Sequence, residues 1–181
     1  YETALAGKMV DIVQSAHLDI LHVHYAIPHA SAALVAKQIL AQQGITIPVV
    51  TTLHGTDITL VGREMTYEHV VSWSINQSDA VTAVSEDLRK QTYEHFKINR
   101  DIDVIPNFID FGRFNKKPRE HFKQMIAPNG EKIIIHTSNF RKVKRIEDVI
   151  AVFAQIIKEI PAKLLLIGDG PERSHIEKVS R

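Results

Sequence analysis

The chain has no cysteine. That excludes disulfides and thiolate metal sites. No apolar run approaches the ~20 residues that a membrane-spanning helix requires. Neither sign of charge dominates: 22 basic against 21 acidic residues leave a net charge of +1, so nothing draws the chain in bulk to nucleic acid or to a membrane. Repeats and low-complexity segments are absent, and no secretory leader pattern is visible. The expectation is a cytoplasmic protein.

What is present suits a packed α/β structure. The 181 residues are 44 % hydrophobic, enough for one large domain or for parts of two. Ten histidines are more than a chain of this size usually carries. Leu5, Met9, Ile12, Val13 and Ala16 recur at helical spacing right from the start, and the chain ends at Arg181 inside another helical pattern. It is therefore expected to be an excerpt of a longer protein.

Short apolar runs alternate with amphipathic stretches. Strands are expected at Ile20–His24, Ile47–Leu53, Ala80–Val84, Ile102–Ile105, Lys132–Thr137 and Lys163–Ile167. Their Val and Ile content predicts burial on both faces. An Ala-rich helix is expected from Ala30 to Gln43, stopped by Gly44. Another is capped by Ser85, with Glu86 and Asp87 in its first turn. The clearest is Ile146–Ile160, where Ile146, Val149, Ile150, Phe153, Ile157 and Ile160 share a face. Repeated β–α–β order implies parallel sheets with right-handed crossovers. The rhythm breaks between Asn107 and Gly130, where Phe108–Glu120 is charged and irregular. A domain boundary is expected there; a long loop within one sheet is the alternative.

Four segments could carry chemistry. His54-Gly-Thr-Asp57 follows the strand ending at Leu53, at the carboxyl end where parallel sheets bind ligands. There His54 could reach a hydroxyl, or support positive charge through its carbonyl. Asp57 could orient it or cap the next segment. His22-Val-His-Tyr25 and Ala-Ile-Pro-His29 close another strand. Alternation puts His22 and His24 on one face. The three histidines are read as one core group and two cleft residues, or as metal ligands, though no acidic partner stands at ligand spacing. Ser138–Arg145 sets Arg141, Lys142, Lys144 and Arg145 before a helix N-terminus, a place for an anion such as a diphosphate. Lys163–Arg173 reads as a buried strand, a tight turn at Gly168 and Gly170, and a helix start, with Pro171 at the first helical position and unpaired N–H groups facing the strand end.

In this order, His-Gly-Thr-Asp57, Thr82-Ala-Val-Ser-Glu-Asp-Leu88, Val104-Ile-Pro-Asn-Phe-Ile-Asp110 with Arg113-Phe114, the loop with Lys144, and Gly168–Arg173 resemble the family four glycosyltransferases. The resemblance covers nearly the whole chain. It implies a retaining, UDP-sugar-dependent enzyme of the α/β GT-B fold with two Rossmann-like domains. Residues 1–112 would be the C-terminal part of the acceptor domain, and 113–181 the N-terminal part of the nucleotide-sugar domain. His22–Ala30 and Thr51–Thr59 resemble, more narrowly, members that join N-acetylglucosamine from UDP-N-acetylglucosamine to L-malate in bacillithiol biosynthesis. A different acceptor, lipid or polysaccharide, and a non-catalytic binding module remain as alternatives. The resemblance implies no metal and no other cofactor, no nucleic acid and no membrane insertion, and leaves a homo-oligomer open. By position His54 and Lys144 would be catalytic, the first on the donor sugar and the second on the diphosphate. Asn139 stands where the family has an Arg, with Arg141 as its replacement. Gly168 and Gly170 complete the donor set. Tyr25, Thr51, Thr52 and Arg63 are the acceptor candidates. A glycine-rich loop is expected before Tyr1 and a pair of glutamates after Arg181, so the excerpt alone is expected to be inactive.

Overall fold

Residues 1–59, 65–117 and 120–180 are described by a computed structural model. They divide into two compact units, Tyr1–Asp110 and Phe111–Arg181.

The first unit holds four parallel strands in the order β1 (Leu21–His24), β2 (Val49–Leu53), β3 (Ala80–Ala83) and β4 (Ile102–Val104). Its helices are α1 (Glu2–Ala16), α2 (Ser31–Gln42), the short α3 (Thr56–Thr59), α4 (Met65–Gln77) and α5 (Glu86–His95). Right-handed crossovers that always step the same way along a sheet put every helix on the same face. Leu21, Val23, Val49, Leu53, Val81, Ala83 and Ile102 point to that face and are buried against the helices. The expectation of strands covered on both faces holds only in part: Thr52 on β2 and Thr82 on β3 are buried like their neighbours, whereas the edge strands expose one face. β1, for example, alternates buried and exposed, which leaves His22 and His24 outward.

Local signals account for the helix ends. Gly44 ends α2: its N–H bonds the Ala41 carbonyl and that of Ile45 bonds Leu40, which satisfies two orphan carbonyls. The Ser85 hydroxyl accepts the Leu88 N–H at 3.1 Å and caps α5. A single wide turn, Ala26–Ala30, leads into α2 one residue later than the Ala30 start expected. In α1 the buried stripe is Ala6, Val10 and Val13, while Ile12 faces outward.

The second unit pairs β5 (Lys132–Thr137) with β6 (Ala162–Ile167) in parallel, from Lys132 opposite Ala162 to Thr137 opposite Ile167. α7 (Ile146–Glu159) makes the crossover, and α6 (Glu120–Ile126) and α8 (Arg173–Val179) flank it in sequence. Phe140, Ile146 and Ile176 form the small core, with Ile150 and Leu166 packed against it. The inward seam of α7 runs through Val149, Ile150, Phe153 and Ile156; Ile157 and Ile160 are about half exposed and lie off it.

α8 begins at Arg173, so Pro171 lies in the preceding turn and not in the helix. That turn is also occupied. The Glu172 N–H bonds the Phe140 carbonyl at 3.0 Å, and the Gly170 N–H bonds Asp169 Oδ1 at 2.8 Å. These two amides are thus already paired within the protein. The glycines serve a close approach. A Cβ on Gly168 would stand 1.9 Å from the Ser138 carbonyl oxygen, and one on Gly170 2.5 Å from that of Phe140. The 138–140 backbone thus lies directly on the glycine turn.

Candidate active site

In the first unit the outward sheet face carries a polar strip at its carboxyl end. His22 Nε2 and Thr52 Oγ1 are 2.8 Å apart, and Thr52 Oγ1 is 2.8 Å from Thr82 Oγ1. This hydrogen-bonded chain crosses β1, β2 and β3. One step higher, His24 Nδ1 meets His54 Nε2 at 2.8 Å. A cleft of about 280 Å³ opens here, lined among others by His22, His24, Thr52, His54, Thr82 and Asn107. Burial pushes His24 below the ordinary imidazole range, and the nearby His22, His54 and His29 rings add to the effect.

Asp57 is buried and holds the site's backbone together. Its carboxylate accepts the Ala26 N–H at 2.8 Å and the Gly55 N–H at 3.0 Å. It therefore ties the His54 turn to the segment after β1, and its contact is with this backbone and not with the His54 ring. Tyr25 is set by the same framework. Its N–H bonds the Thr52 carbonyl at 2.8 Å, and its ring centroid lies 5.1 Å from that of His54. Its backbone sits at φ 78° and ψ 136°, which is strained for any residue with a Cβ. Replacing Tyr25 by Gly relieves that strain and replacing it by Ala does not. The Gly variant is expected to be about 1 kcal/mol more stable than the Ala variant in urea unfolding, against the usual order inside regular structure. Equal midpoints would mean that the backbone is relaxed.

Thr51 does not belong to this face. It is fully buried on the helix side, and its Oγ1 bonds Ser78 Oγ at 2.8 Å. The physical reason is the two-residue period of a strand, which sends Thr51 and Thr52 to opposite sides. Arg63 lies outside the described residues. His22, His24 and His29 do not form a metal site: among the described residues no group of three or more His, Asp or Glu is placed to hold a metal ion. His29 Nδ1 instead donates to the His24 carbonyl at 2.6 Å.

In the second unit Asn139 and Arg141 lie in the loop after β5, and Lys144 closes a single 3₁₀ turn, Lys142–Lys144. The turn is fixed by the Arg141 N–H on the Asn139 carbonyl (2.9 Å) and the Lys144 N–H on the Arg141 carbonyl (2.8 Å). Arg145 then adopts a left-handed conformation at the head of α7 and pairs with Asp148. No side chain caps α7 there. Ion pairs in this unit use Arg145, Lys163, Arg173 and His175, so Arg141, Lys142 and Lys144 have no carboxylate partner among the described residues. Three uncompensated cations beside an uncapped helix head favour an anion. Glu147 and Asp148 in the first turn oppose that preference, and together with Glu172 they line one pocket with Arg141 and Lys142. Gly168 and Gly170 sit beneath this loop as its seat.

Phe140 is the residue that sequence reasoning missed. It is 5 % exposed, its N–H bonds the Asp169 carbonyl at 2.8 Å, and its own carbonyl takes the Glu172 N–H. It locks the basic loop to the glycine turn. A lone aromatic inside a polar loop was the signal available.

Comparison with known proteins agrees with this architecture. The family model of glycosyltransferase family 4 matches residues 2–113. The N-acetyl-alpha-D-glucosaminyl L-malate synthase of Bacillus anthracis is 50 % identical over 173 residues, which are 95 % of this chain and 45 % of that protein. Among solved structures, sucrose-phosphate synthase from Thermosynechococcus elongatus superposes with a TM-score of 0.68 at 21 % identity, and HepE of Anabaena in complex with UDP with 0.72 at 18 %. Both superpositions cover 96 % of this chain and 46 % of the other. The chain thus spans less than half the length of these relatives, and its fold is part of the two-domain GT-B architecture. No described helix is long and apolar enough to cross a membrane. The chain belongs to glycosyltransferase family 4.

Proposed function

We propose that the intact protein is a retaining glycosyltransferase that moves N-acetylglucosamine from UDP-N-acetylglucosamine to the hydroxyl of L-malate. One observation carries this: half of the residues are identical to a synthase named for that product, across 95 % of the chain and through both units. The solved relatives with UDP or UDP-glucose bound support a nucleotide sugar as donor class.

The first unit would serve the acceptor and the second the donor's diphosphate. In the reaction the malate oxygen bonds to the anomeric carbon on the face that UDP leaves, the carbon–phosphate oxygen bond breaks, and the hydroxyl proton leaves with UDP. Negative charge grows on the diphosphate as that bond lengthens. Preorganised cations that need no reorganisation lower the barrier most effectively. Arg141 and Lys144, free of carboxylates, suit that task, and Asn139 can add a neutral hydrogen bond. His54 would meet the donor sugar. Tyr25, Thr52 and Arg63 would hold malate. The step calls on no metal, and such an enzyme would work in the cytoplasm, making the first intermediate of bacillithiol.

The test is to incubate the intact protein with UDP-N-acetylglucosamine and a panel of acceptors, including L-malate, glycerolipids and oligosaccharides, and to follow UDP release. Release that depends on malate is expected. Release with another acceptor only, or binding without release, would reject the assignment.

A further inference from the structure

The His24–His54 contact joins two imidazoles through one ring nitrogen of each, His24 Nδ1 and His54 Nε2, at 2.8 Å. Such a contact holds only if one nitrogen carries a proton and the other a lone pair. His24 is itself fixed on two sides. Its carbonyl accepts from His29 Nδ1, and its ring lies 4.9 Å from both the His22 and His54 rings. We infer that His24 is a positioning residue for His54: it engages His54 Nε2, fixes the tautomer and direction of that ring, and leaves Nδ1 as the atom with which His54 can meet a substrate.

The surroundings set how many protons the pair can hold. His22 on β1, Tyr25 just before the wide turn, His29 on it, Asp57 on α3 and Asp103 on β4 are titratable groups on the elements around it. Asp57 is committed to two backbone amides. Burial, and then the three imidazoles close by, disfavour protonation of His24. In the arrangement proposed, the His54 Nε2–H donates to the His24 Nδ1 lone pair. A second proton, on His24 Nδ1, would set two N–H groups head to head and break the contact. The ring pairing stands independently; its consequence for turnover rests on the transferase reading above.

The experiment uses the intact protein labelled with ¹⁵N in its histidine rings, as wild type, His24→Asn and His24→Phe. Long-range ¹H–¹⁵N spectra report which ring nitrogen carries the proton. In wild type a single His54 tautomer protonated at Nε2 is expected. Asn offers an acceptor oxygen near the position of Nδ1 and should keep that tautomer, whereas Phe should give a mixture. With UDP-N-acetylglucosamine and L-malate, His24→Phe should lose about tenfold in kcat with little change in KM. His24→Asn should recover most of that loss at neutral pH. An unchanged His54 tautomer in His24→Phe, or equal losses in both variants, would overturn the inference. Absence of transfer in wild type would reject the transferase reading, and the ring spectra would still decide the pairing.

Discussion

Replacing Lys144 by Ala in the intact protein is expected to lower kcat by about ten- to a hundredfold. A hydrogen bond to a charged group contributes about 1.5–3 kcal/mol, and each 1.4 kcal/mol or so corresponds to a factor of ten in rate. The effect should fall on kcat more than on KM, because the charge that Lys144 meets grows as the donor bond breaks. The neighbouring Arg145 makes a useful contrast. Asp148 already compensates its charge, so its removal takes less from the departing diphosphate. Unchanged turnover in Lys144→Ala would remove Lys144 from the mechanism.

Gly168→Ala is expected to destabilise the protein by about 3 kcal/mol. The added methyl would lie 1.9 Å from the Ser138 carbonyl and 2.8 Å from Phe140 Cε1. The nearer atom is backbone and cannot swing aside as a side-chain tip can. Either β6 or the loop after β5 must shift, and the loop is the segment that leads to Arg141 and Lys144. Loss of stability should therefore come with weakened UDP binding. Gly130→Ala is the control. That position also has positive φ, at 82°, yet an added Cβ meets nothing within 4 Å. Its cost should stay near 1 kcal/mol, the conformational part alone. Urea unfolding of both variants checks the difference; similar midpoints would contradict the close approach.

The alternation of strands and helices was legible because each apolar run is short and bounded. β5 matches its expected limits, and the other strands differ by one or two residues at their ends. Helix α6 was not legible. It spans two turns, and its large apolar residues Phe122 and Met125 are more than half exposed, so no buried stripe marks it. The candidate site was legible in part. His54 and Thr52 do share a face with His22 and His24, as alternation implies. The same alternation sends Thr51 to the core, a placement that its hydroxyl obscures in the sequence. The basic loop and the glycine turn were visible only as separate motifs. What joins them is backbone hydrogen bonding through Phe140 and two missing Cβ atoms, which side-chain chemistry does not reveal.

The most direct test of the account is a crystal structure of the intact protein with UDP bound. The account predicts diphosphate oxygens about 3 Å from Lys144 Nζ and within hydrogen-bonding reach of Arg141. A diphosphate bound away from the Arg141–Lys144 loop, for instance on the His24–His54 face, would contradict it.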